Sequence, residues 1–250
     1  GTAATLERHE LRVGTSRFLS QDFFLAYRIV LALYFLFWSI FWRGVKDYST
    51  GRYLTHWTWY VATGYAVVST WSAFLCWRAT RTAGTLAPDG PVQGRASLSS
   101  TAASPDQSQA TTPSRPLLPV ALRRLQLALR SAACLVSLIV VAVFWGALYG
   151  GEDLTTVDVH AHVIIGIVML IDQFLIADEY KVRYVIFAQA FGLIYLVFSI
   201  GWYYIAPKED RLLYSVLDWG NETLVACIYA VLCMLVLAPL FALLHFGVYR

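Results

Sequence analysis

The stretch DVHAHVIIGIVMLIDQFL, Asp158 to Leu175, sets two aspartates and two histidines into a run apolar enough to cross a lipid bilayer. Ionisable groups at membrane depth are costly, so they stand there with a partner or a task. Reading outward from this run, the chain offers six apolar stretches of the kind, at residues 23–42, 54–77, 125–149, 157–177, 184–206 and 223–249. Each is near the ~20 residues that span a hydrocarbon core. The composition agrees, with 58% of the 250 residues hydrophobic and 14% charged, against ~45 to 50% and ~25% in soluble domains. The mean hydropathy is +0.57. Backbone in lipid must satisfy its own hydrogen bonds, and these runs lack the alternation of barrel strands. The expected fold is therefore all-α, a polytopic membrane bundle of six transmembrane helices in a single domain over residues 1–250.

The net charge of +3 is small, and the basic residues are spread over loops, which argues against a nucleic-acid partner. Cys76, Cys134, Cys227 and Cys233 lie inside or at the ends of apolar runs, where a thiol behaves as a small apolar side chain. No disulfide framework or zinc-finger spacing appears. The opening GTAATLERHE lacks an initiator methionine and is too polar for the core of a signal peptide, so it reads as a trimmed or tagged start.

Lys and Arg concentrate in the N-terminal segment, the second and fourth loops and the C-terminus, with only Arg43, Lys46, Arg52, Lys208 and Arg211 on the opposite side. The positive-inside rule then puts both termini in the cytosol, in a plasma or endomembrane setting. The acidic third loop, GGEDLTTVD, and the NET sequon at Asn221 fall on the outer side. Between the second and third runs, residues 79–119 are rich in Ser, Thr, Ala, Pro and Gly, with few large apolar side chains. Such a segment buries too little to offset its ordering entropy, and disorder is expected there.

In this topology the second and fourth spans run in the same direction, so YLTHWTWY (Tyr53–Tyr60) and DVHAHV begin at one membrane face. Thr55 and His56 share the depth of His160 and His162. Asp158 and His162, four apart, lie on one helix face, while His160 points elsewhere. A hydroxyl (Thr55), an imidazole (His162) and an orienting carboxylate (Asp158) at one depth form a nucleophile, base and orienter set for covalent hydrolysis. His56 and Arg52 stand at the same mouth as candidate substrate-binding groups, Arg52 for a lipid carboxylate. Set against this, interfacial histidines and threonines often do no more than bond a nearby carbonyl. Asp172, about 15 Å further along its helix, is too far to orient His162. A structural ion pair with Arg28 or Arg130 explains it better. His245 reads as an interface anchor, and the many aromatics near the boundaries as interfacial belts.

FFLAYRIVLALYFLFWSIF, YLTHWTWY, DVHAHVIIGIVMLIDQFL and LLYSVLDW together resemble the successive signatures of the rolling stone family of multispan membrane proteins, associated with myoblast fusion. The likeness covers nearly all the spans and stops at the long loop; Ser215 stands where proline is expected. More distantly, the pattern is similar to the androgen-induced and androgen-dependent TFPI-regulating proteins, six-span intramembrane threonine hydrolases of fatty acid esters of hydroxy fatty acids. That likeness implies a catalytic threonine at the start of the second span, matched by Thr55, and a catalytic histidine in the fourth, matched by His162.

The leading expectation is thus an intramembrane lipid ester hydrolase, with a membrane lipid as substrate and no cofactor or metal. Two other classes compete. A zinc hydrolase would use His56, His160, His162 and Asp158, although histidines two apart on a helix diverge; a haem protein is a weaker relative of that idea. A non-enzymatic scaffold in fusion or development would use the polar groups to stabilise the bundle.

Overall fold

The computed structural model describes residues 14–45, 52–85, 119–151, 153–178 and 180–248. Most of the segment expected to be disordered, residues 86–118, lies outside the described residues. The described residues are helical, without a β-strand; one isolated bridge joins Ser16 to Ile176.

Six long helices follow the apolar runs. α1 is Gln21–Val45 and α2 is Leu54–Thr85. α3 joins Val120–Val143 to a π-helical turn, Phe144–Leu148. α4 is Thr156–Val159, a π-helical turn His160–Ile164, then Ile165–Leu175. α5 is Val185–Ile205, entered by a 3₁₀ turn, and α6 is Thr223–Val231, a π-helical turn Leu232–Leu237, then Ala238–Val248. Local chemistry sets the ends. Thr155 and Asp158 cap α4 reciprocally, each side chain meeting the other's backbone N–H. Pro119 precedes α3, and Pro207 follows α5 and blocks its continuation. Gly151, at φ 89, turns the chain out of α3 in a conformation most side chains disfavour.

Among the described residues, five helices are long and apolar enough to cross a membrane: α1, α3, α4, α5 and α6. The second apolar run expected from sequence does form a helix, and it continues to Thr85, into the segment read as loop. It is not among the five, because its length is interspersed with hydroxyl residues. Those hydroxyls are satisfied locally: Thr58, Thr63, Thr70 and Ser72 donate to the carbonyls four residues back, at 2.7–3.1 Å. Small side chains at Ala62, Ala66, Ser69 and Ala73 are fully buried and let α1 and α3 approach closely on either side. Burial replaces hydropathy in holding this helix.

α3 is the axis, with 61% of its most apolar window buried against 11% for α6. One packed cluster joins α1, α2 and α4 around Phe24, Phe35, Trp59, Tyr65, Ile165 and Met169. A second joins α3 to α5 and α6 around Leu135, Val136, Val140, Ala188 and Ala242.

Asp172 is held by the first cluster. It pairs with Arg28 at 2.7 Å, both side chains being fully buried, and accepts from the Tyr27 and Tyr65 hydroxyls at 2.9 and 2.6 Å. Of the two arginines considered from sequence, Arg28 is thus the partner. Arg130 instead donates to Gln173 Oε1 at 2.8 and 2.9 Å and faces the Asp178 carboxylate at 3.5 Å. His245 is packed inside the bundle: it is 4% exposed, with Nδ1 2.6 Å from the Phe241 carbonyl. A carbonyl only accepts, so Nδ1 is the donor and Nε2 accepts from the Cys134 thiol at 2.9 Å, fastening α6 to α3.

Candidate functional site

At the opposite end from these ion pairs, a half-open cavity lies between α3, α5 and α6. The start of α2 and the π turn of α4 close its outer end, and the loop between α5 and α6 folds over it. Thr55 and His162 both line it, from helices far apart in sequence.

Thr55 is the second residue of α2, 9% exposed. The first N–H groups of a helix have no intrahelical acceptor. Here the Tyr214 hydroxyl stands beside the Thr55 side chain and the backbone of Leu54 and Thr55 at the start of the helix. Tyr214 comes from the loop before α6, packs on Tyr53 with ring centroids 5.6 Å apart, and lies beside the Tyr195 hydroxyl. Tyr195 in turn donates to the Arg52 carbonyl at 2.9 Å. Burial pushes the Tyr214 phenol above its ordinary range, outweighing the polar groups around it, so it remains a neutral O–H.

His162 stands in the π turn of α4. Its ring lies flat on Phe144, centroids 3.8 Å apart and planes 1° from parallel. Its backbone carbonyl accepts from the Trp145 indole at 3.2 Å. The imidazole Nδ1 is buried and has no hydrogen-bond partner among the described residues. Three π turns supply lining residues to this one cavity: Phe144 and Leu148 from α3, His162 from α4, and Cys233 and Met234 from α6. Such single-turn bulges re-aim side chains and concentrate at functional sites.

The other expected site residues stand apart from the cavity lining. Asp158 is near enough to His162 to act on it electrostatically, as is His56. The orienting hydrogen bond expected from Asp158 is not made. Its carboxylate is taken by Thr155, whose hydroxyl and N–H donate to it at 2.6 and 3.1 Å. Arg52 pairs with Asp210 at 2.5 Å rather than presenting an open cation. His160 turns toward α1, with Nδ1 2.9 Å from the Tyr34 hydroxyl and its ring 3.9 Å from Trp38. It cannot join His162 on one ion. Among the described residues no three His, Cys, Asp or Glu side chains are grouped to hold a metal.

Sequence reasoning missed Tyr214 and Tyr195. Tyr214 sits inside LLYSVLDW, a stretch noted only for the serine beside it. The N–H groups at the start of α2, which have no acceptor within the helix, carry no sequence signal of their own.

The secluded Thr55 hydroxyl, the His162 imidazole and the Tyr214 hydroxyl thus line one largely apolar cavity. Comparison of the chain with protein-family models, with curated proteins and with solved structures finds no match.

Proposed function

We propose that this protein is an intramembrane lipid ester hydrolase with Thr55 as nucleophile and His162 as general base. The observation that carries this reading is that Thr55 and His162 line one apolar cavity together. In the proposed cycle, His162 takes the Thr55 proton as the hydroxyl attacks the ester carbonyl. The oxyanion that forms is met by the N–H groups of Leu54 and Thr55 and by the Tyr214 hydroxyl. Collapse breaks the ester C–O bond, His162 hands its proton to the leaving alcohol, and the acyl group stays on Thr55. Water, deprotonated by His162, then attacks the acyl-threonine and releases the carboxylic acid and the free hydroxyl. Asp158 acts on His162 through space, and His56 and Arg52 line the approach to the site.

The same reading takes α2 as a sixth span, with the site in the non-cytosolic leaflet and both termini cytosolic. The excess of Lys and Arg on the other loops supports that orientation. So does the likeness of YLTHWTWY and the His162 stretch to the rolling stone signatures and, more distantly, to the threonine hydrolases of branched fatty esters.

The test is ester turnover by purified protein in lipid nanodiscs. Wild type should release fatty acid from fatty acid esters of hydroxy fatty acids, and folded Thr55→Ala and His162→Ala should not. A folded Thr55→Ala with full turnover removes the nucleophile, and a wild type inert on every lipid ester leaves a bundle without this chemistry.

A further inference from the structure

Thr55, His162 and Tyr214 line the cavity beside the start of α2, while most of the remaining lining is apolar. We propose that this remainder is an acyl-chain site, in which the chain of the bound ester runs along α3 between α5 and α6 and Gly192 sets the length that fits. The inference rests on the hydrolase reading for where the carbonyl lies, at Thr55.

Three observations carry it. The lining residues of α3 extend from Leu148 back to Val136, which at the helical rise is about 18 Å of apolar wall. On α5 the lining residues Ala188 and Gly192 are four apart and share a face. Across from them, Met234 and Ala238 repeat that spacing on α6. Small side chains on facing helices ordinarily let them close together; here a cavity adjoins them, and Met234 lies in the π turn of α6. Gln189, the polar side chain beside this run, is accounted for by the fold, since its amide donates to the Met234 carbonyl at 3.0 Å. A ligand matching this shape has one polar end and one long apolar chain.

Gly192 lines the cavity and faces Met234. A Cβ there would lie 3.6 Å from Met234 Cγ, an ordinary contact, so alanine fits, whereas leucine would project into the chain path.

The experiment uses full-length protein in nanodiscs and two esters, p-nitrophenyl butyrate and p-nitrophenyl palmitate. Gly192→Leu is expected to lower palmitate turnover about tenfold or more relative to butyrate, since each displaced methylene matters in an apolar pocket. Gly192→Ala should shift the ratio in the same direction, by less. In parallel, Thr55→Ala is photolabelled with a diazirine-bearing palmitic acid, and labelled peptides are mapped by mass spectrometry. Label on α5 and α6 segments around Gly192 and Met234, lost when Gly192→Leu is added, supports the site. Equal slowing of both esters, or label confined to surfaces outside the cavity, overturns it. Should wild type cleave neither ester, the hydrolase reading fails, and the photolabel alone still decides for or against the chain site. Should Gly192→Leu not fold, Gly192→Ala and the label on Thr55→Ala carry the decision.

Discussion

Two regions of this bundle hold polar side chains at membrane depth, and they do so in opposite ways. Around Asp172 the carboxylate faces Arg28 and accepts from two tyrosine hydroxyls, with the guanidinium also lying over Phe24 at 4.8 Å. The rings of Phe24, Tyr27 and Tyr65 surround the guanidinium. Around Thr55 the polar groups meet one another only in part. The His162 Nδ1 is unpartnered among the described residues, and Thr55 and His162 face open space. Both arrangements satisfy the rule that ionisable groups in a membrane interior need a reason. The difference teaches which reason applies: a carboxylate met by a cation and two hydroxyls in a packed cluster marks a fastening, even with Arg28 Nε and Nη2 left without hydrogen bonds among the described residues, while an imidazole nitrogen without a partner beside a cavity marks a place for a ligand.

The sharpest way to break the comparison is to remove one group from each end. Thr55→Ala or His162→Ala should cost about 10³-fold or more in kcat, while thermal unfolding in detergent stays close to wild type. A collapse of the fold instead would make the site end another fastening. Asp172→Ala should do the reverse, lowering stability by about 3–5 kcal/mol through an uncompensated buried Arg28. That is read as a lowered unfolding midpoint and yield. Replacing both partners, Arg28→Met with Asp172→Leu, should recover part of that loss, since the desolvation cost then disappears.

Smaller effects sharpen it. Tyr214→Phe should reduce kcat about 10²-fold with KM little changed, the signature of a donor used in the transition state. Because burial keeps the Tyr214 phenol protonated well above neutrality, this contribution should persist on the alkaline side, and wild type should show no loss of turnover near the ordinary tyrosine range. The smallest effect concerns Asp158. As a cap, it should be worth about 1 kcal/mol, the same as its partner Thr155, so Thr155→Ala and Asp158→Ala should destabilise alike. A much larger fall in turnover for Asp158→Ala than for Thr155→Ala would assign it a part in tuning His162.

Much of the architecture was legible because membrane solvation writes itself into composition. Apolar runs of bilayer length gave the helices, and their alternating direction brought Thr55 and His162 to one end. The ion pair of Asp172 was legible as a type, but its partner was not, since Arg28 and Arg130 differ only in helix rotation. α2 was legible as a helix and harder as a span, because its hydroxyls are tolerated by back-bonding and burial rather than avoided. Asp158 was read as an orienter since it shares a face with His162; the nearer Thr155, completing a capping box, claims it first. The π turns that aim Phe144, His162 and Met234 have no periodic signature. Tyr214 reaches Thr55 only through a loop folding back over the bundle, which no local pattern announces.

The central claim is that Thr55 carries the acyl group. It is tested most directly by mixing purified protein with a long-chain p-nitrophenyl ester, quenching with acid within the first turnovers, and locating added acyl mass by peptide mass spectrometry. The account predicts one acyl adduct on the peptide bearing Thr55, absent from Thr55→Ala and greatly reduced in His162→Ala. Turnover with no adduct at Thr55, or an adduct on another side chain, would contradict it.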